Sequence, residues 1–114
     1  MLEATDMFLA TWLALQMDVH ENSVKHGFYD GPFNDGEKIA LMHSELSEAL
    51  EAVREGNPQS EKIHLFTSLE EELADCVIRI MDYAQHKGFD VASAIIYKHR
   101  YNLTRPHKHG GKAF

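Results

Sequence analysis

Four carboxylates in two short rows are the residues of this chain best suited to chemistry. Glu45 and Glu48 stand in HSELSEALEA, and Glu72 and Asp75 in EELAD, each pair spaced acid-x-x-acid. On a helix, three residues turn about 300° and rise about 4.5 Å, so the members of each pair are neighbours on one side. Four carboxylates brought into one groove repel, and near neutral pH they must take up protons or recruit cations. A hard divalent ion removes the conflict. Magnesium suits such a set because it prefers carboxylate and water oxygens and accepts phosphate oxygens as further ligands, and manganese can substitute for it. Both half-sites lack the Glu-x-x-His of carboxylate-bridged iron pairs, and no ordered Cys/His set suggests structural zinc. Spacing alone does not select these acids. The chain has 18 acidic residues, and Asp18–Glu21 and Glu48–Glu51 share the interval. Solvated helix edges would read the same way, and Glu70 and Glu71 fit a first-turn capping role better than a ligand role.

Basic residues near the C-terminus supply the complementary chemistry. Lys98, Asn102 and Arg105 recur at intervals of four and three, which places them on one side of a last helix. Lys108, His109 and Lys112 follow in a tail able to fold over bound phosphate. Taken alone, these are also ordinary favourable charges at a helix C-terminus. Acids for a cation and bases for anionic oxygen together describe a metal-phosphate site. His20 and Asn22 are candidate ligand contacts on the first helix. Trp12, Phe28 and Tyr29 are candidates for stacking, although Trp12 lies on an apolar stripe and the other two suit a turn anchor.

Four helices must position these groups. The first is expected over residues 4 to about 24, with Phe8, Trp12, Leu15 and Val19 on one side and Thr5 or Asp6 as the cap. The Gly- and Pro-containing stretch HGFYDGPFNDGE ends it. The second is expected over about 36 to 55, facing inward through Ile39, Met42, Leu46, Ala49, Leu50 and Val53, and stopped by Gly56, Asn57 and Pro58. The third begins at Ser68, expected to form a capping box with Glu71, and turns Leu69, Leu73, Val77, Ile80 and Ala84 inward until Lys87 and Gly88. The fourth runs over about 90 to 103, with Val91, Ala94 and Ile95 facing inward. On this reading Glu45 and Glu72 sit at the core's edge, with Glu48 and Asp75 turned further out. If helices two and three pack antiparallel, all four acids line one groove. Leu41, Ile78 and Met81 lie off the main stripes and point to a homo-oligomeric interface.

The expected class is therefore all-α, a four-helix bundle in one domain over residues 1–105, with 106–114 a basic tail contributing to the site. At 114 residues and 44% apolar content the chain supports one core, not two. A net charge of −7 argues against a grip on polymeric nucleic acid or an anionic membrane, which calls for a basic surface. Lone Cys76 rules out an internal disulfide framework and suits a reducing, cytoplasmic compartment. The N-terminus MLEATDMFLATW has acids where a secretory signal would be basic, and no run approaches the length of a membrane span.

With these residues in view, the chain resembles the MazG-like, all-alpha nucleoside triphosphate pyrophosphohydrolase family. The resemblance rests on E45-L-S-E48-A-L-E51, then E72-L-A-D75, then K98-H-R-Y-N102-L-T-R105-P-H-K108-H-G-G-K112, and spans roughly residues 38 to 114. It implies a dimer or tetramer that uses magnesium to cleave a nucleoside triphosphate to the monophosphate and pyrophosphate. Glu45, Glu48, Glu72 and Asp75 match the family's metal-binding acids. Lys98, Asn102 and Arg105 match its substrate-contacting end. Ser44 stands where many members carry a further Glu, and Ser47 where a small residue, commonly Gly, is frequent. Of the acids, Glu48 is favoured over Glu45 for activating water, because its more outward direction leaves an oxygen free. Base and sugar specificity are not written in any single residue. Two other classes stay open: a non-catalytic module that senses a metal-nucleotide complex, and an acidic helical protein-interaction module.

Overall fold

The computed structural model describes residues 3–106. It contains four helices, α1 (Ala4–Lys25), α2 (Asp35–Arg54), α3 (Ser68–Lys87) and α4 (Val91–Asn102). Among the described residues there is no strand, only an isolated antiparallel bridge between Gln59 and Thr67. None of these helices is long and apolar enough to cross a membrane. Lys108 and Lys112, with the rest of the tail beyond Pro106, lie outside the described residues.

The helix ends follow from local chemistry. Glu3 precedes α1 without a side-chain cap, so neither Thr5 nor Asp6 caps this helix; both lie within its first turn. Asn34 caps α2 by accepting the Glu37 amide at 2.9 Å. The helix stops where Gly56 and Asn57 adopt positive φ values of 83° and 51°, and the Asn57 side chain then accepts the Leu69 amide. The capping box of α3 lies one residue earlier than the sequence suggests. Thr67 Oγ1 accepts the Glu70 amide, and Glu70 Oε1 accepts the Thr67 amide at 2.9 Å. Glu71 is thereby left free of the cap, and it accepts the hydroxyl of buried Ser60 at 2.5 Å. Gly88 closes α3 in the left-handed conformation.

Helix α3 is central. It packs against α2 on one flank and α1 on the other, while α4 rests on α1. Both pairings with α3 are antiparallel. Asp35 meets Tyr83 and Lys87, while Glu45, ten residues further along α2, meets Arg79. On the other flank Gln16 meets Gln85 and Ser23 meets Asp82.

This side-by-side order corrects the expected inward faces in part: Ala49 and Ala84 are buried as expected, and Met42, Leu69 and Ile80 are half-buried. The buried apolar groups are the small Ala49, Ala52, Cys76, Ala84 and Ala92, together with Met81. Leu46, Leu50 and Val53 of α2 and Leu73 and Val77 of α3 are exposed, Leu50 by 52%. The alanines at 49 and 52 let α2 approach α3 closely, and that approach turns the leucine stripe outward. Of the three off-stripe residues, Met81 is buried, Leu41 half-buried and Ile78 exposed. The uncovered apolar surface is thus made largely by the main stripes, with Ile78 beside them.

Candidate metal centre

The antiparallel pairing of α2 and α3 brings both acid rows to one place. Carboxylate oxygens of Glu45, Glu72 and Asp75 lie within 4.8 Å of one another. Glu48, one turn beyond Glu45, stands outside that 4.8 Å group but near enough to influence both Glu45 and Glu72. Glu45 is not at the core's edge: it is buried, sharing with Ala49 and Ala52 the face that α2 turns to α3. Glu48 stays exposed, while Glu72 and Asp75 are half-buried.

The electrostatics record the crowding. Burial, and then Glu48 and Glu45, push Glu72 up to about 7. Asp75 is raised by burial and then by Glu45 and Glu71, against the opposing pull of Lys62 and Arg79. Glu45 behaves differently. Burial would raise it, but the hydrogen bond from Arg79, and then the neighbouring Glu48 and Glu72, hold it below the usual carboxylate range. Arg79 Nε donates to Glu45 Oε1 at 2.8 Å.

Two oxygens bear on whether this donor set fits a cation. Glu45 Oε2 and Glu72 Oε2 are buried and have no hydrogen-bond partner among the described residues. A buried acceptor without a donor carries a desolvation cost of roughly 1–3 kcal/mol, more when charged. An oxygen-preferring divalent ion answers that cost directly, and ion uptake would expel the Glu72 proton. Cys76 takes no part: its buried thiol faces the Met42 carbonyl at 3.6 Å.

The predicted substrate-binding residues are not gathered at this centre within one chain. Lys98 and Asn102 lie on α4, which packs on α1, and Arg105 just follows it; all three are exposed. Lys98 Nζ sits 4.7 Å over the Tyr101 ring rather than beside an acid. His20 is engaged elsewhere, its Nδ1 lying 2.8 Å from Asp82 Oδ1, with Ser23 Oγ donating to Oδ2 of the same carboxylate. Its ring meets Tyr29 edge-on, and His86 stacks against both Tyr29 and Phe33. Asn22 is exposed, and its backbone carbonyl accepts from His26. Phe28 is exposed, whereas Tyr29 is half-buried with an unpartnered hydroxyl, kept protonated by burial and by Asp82. Trp12 donates to the buried amide of Gln16, which suits a packing role.

Sequence reasoning missed Arg79 and Asp82. The available signal was spacing: with Glu72, Asp75 and His86 they recur along one side of α3 at intervals of three and four. No family model, curated protein or solved structure matches the chain.

Proposed function

We propose that the chain is a divalent-cation-dependent nucleoside triphosphate pyrophosphohydrolase, converting a nucleoside triphosphate, whether deoxy, canonical or modified, to the monophosphate and pyrophosphate. The observation that carries this reading is the pair of buried, donor-less oxygens on Glu45 and Glu72 beside Asp75. Glu45, Glu48, Glu72 and Asp75 would hold magnesium, or manganese in its place. Bound there, the ion would neutralise non-bridging phosphate oxygens and lower the cost of the departing pyrophosphate's charge. The resemblance to the MazG-like family supplies the reaction class.

Glu48 is the best-placed base. Glu45 is buried and tied through Oε1 to Arg79, whereas Glu48 is exposed at the mouth of the cluster. Its carboxylate takes the proton of the attacking water as the new P–O bond forms at the α-phosphorus. The α–β bridging bond breaks, and its electron pair leaves with pyrophosphate. Lys98, Asn102 and Arg105 bind the polyphosphate, and Lys108 and Lys112 extend that set. Since α4 lies against α1, a second copy of the chain delivers these bases to the acids of the first. The uncovered stripe of Leu46, Leu50, Val53, Leu73 and Val77 supports such a dimer, or a tetramer built from it.

The test is product identification after incubating a panel of normal and modified nucleoside triphosphates with and without Mg2+. Monophosphate and pyrophosphate, formed only with the ion, are expected, and Glu48→Gln should lower turnover at least 100-fold with helicity unchanged. Diphosphate with orthophosphate would mean a different bond is cut. Nucleotide binding without turnover would make the chain a sensor. Absence of both would leave the apolar stripe as the surface of a protein-interaction module.

A further inference from the structure

Arg79 is the only cation in direct contact with the acid cluster among the described residues, and it uses one of its five N–H groups there. Its Nε is committed to Glu45 Oε1 at 2.8 Å, while its terminal Nη groups make no hydrogen bond among the described residues. The Arg79 side chain is 41% exposed, against 8% for Glu45. The guanidinium is therefore anchored on Glu45 through one nitrogen, while the side chain as a whole stays open to solvent. Lys62 is the nearest rival, but it lies 3.9 Å from Glu71 and belongs to the connection before α3. A polyphosphate approaching four carboxylates meets strong repulsion, and a planar guanidinium beside the ion offsets it with paired donors suited to phosphate oxygens.

We propose that Arg79 is a phosphate-binding residue of this centre, its Nε fixing Glu45 so that Oε2 faces the other acids while its Nη groups hold a non-bridging oxygen of the bound polyphosphate. The inference rests on the metal-dependent reading above and adds a contact supplied by the same chain that supplies the acids.

Mn2+ affinity and tripolyphosphate affinity in excess Mn2+ should be measured for the full chain, Arg79→Gln and Arg79→Lys, with helicity checked by circular dichroism. The Gln amide can still donate to Glu45 Oε1, so the ligand stays oriented while the charge is lost. Expected for Arg79→Gln is Mn2+ binding equal to or tighter than that of the unaltered chain, with tripolyphosphate binding at least tenfold weaker. Arg79→Lys should fall between the two. A parallel fall of both affinities would reduce Arg79 to a prop for Glu45, and unchanged tripolyphosphate binding would remove the contact; either result overturns the inference while leaving the metal centre standing. If Arg79→Gln does not fold, Arg79→Lys decides: tripolyphosphate binding equal to that of the unaltered chain, or a loss shared with Mn2+, overturns the inference. An unaltered chain that takes up no Mn2+ would overturn the metal-dependent reading itself, and the inference with it.

Discussion

At the scale of single residues, Glu72 gives the most direct handle on the cluster. A carboxyl whose folded pKa lies above its unfolded value holds its proton more tightly when folded. Stability is then lost as pH rises from the unfolded value near 4.5 through about 7. In the absence of divalent ions, the thermal midpoint of the unaltered chain should therefore fall, relative to that of Glu72→Gln, between pH 5 and pH 8. Mg2+ should raise the midpoint of the unaltered chain more at pH 8 than at pH 5, because the ion and the proton compete for the same oxygens. Parallel midpoints for the two proteins across that range would show that Glu72 is not crowded. The pairing within each acid row was legible in the sequence because a three-residue interval fixes neighbours on a helix, but that interval, shared by Asp18–Glu21, did not mark which rows meet. Arg79 was not legible, since its partner Glu45 is 34 positions away and their meeting depends on the register between α2 and α3.

Elements were legible where the chain must adopt particular dihedrals. Gly56 and Asn57 end α2 and Gly88 ends α3, each at positive φ. The start of α3 was ambiguous because Thr67 and Ser68 are consecutive hydroxyl residues, each followed three positions later by Glu. Either register satisfies the capping-box pattern. Tertiary contacts decide it: Glu71 is needed by Ser60, whose hydroxyl also accepts the amides of Lys62 and Ile63 and so organises the connection. Thr67→Ala should cost about 0.5–2 kcal/mol of stability in urea unfolding, and Ser68→Ala much less. The reverse order would return the cap to Ser68. Because α3 carries Glu72 and Asp75 just after this cap, fraying of its first turn would also loosen the acid row.

For the whole molecule, the sequence indicated four helices and the burial of Ala49 and Ala84, but set Leu46, Leu50, Val53, Leu73 and Val77 inward where they are exposed. The difference has a physical source: a stripe of large apolar residues reads as the internal face, whereas the alanine-lined face of α2 packs on α3 and leaves the leucines outside. Those leucines are the surface on which a second copy would place its α4 bases. Leu50→Asp should leave helical content unchanged, convert the assembly to single chains in light scattering, and abolish turnover. An unchanged assembly mass would place the interface elsewhere. All of this depends on four acids from two helices acting together as one cation site. Calorimetric titration of Mn2+ into the unaltered chain and into Glu45→Gln, Glu48→Gln, Glu72→Gln and Asp75→Asn at pH 8 tests that dependence most directly. Saturable binding that weakens at least tenfold with each substitution is expected, whereas equal binding by all five proteins, or none by the unaltered chain, would contradict it.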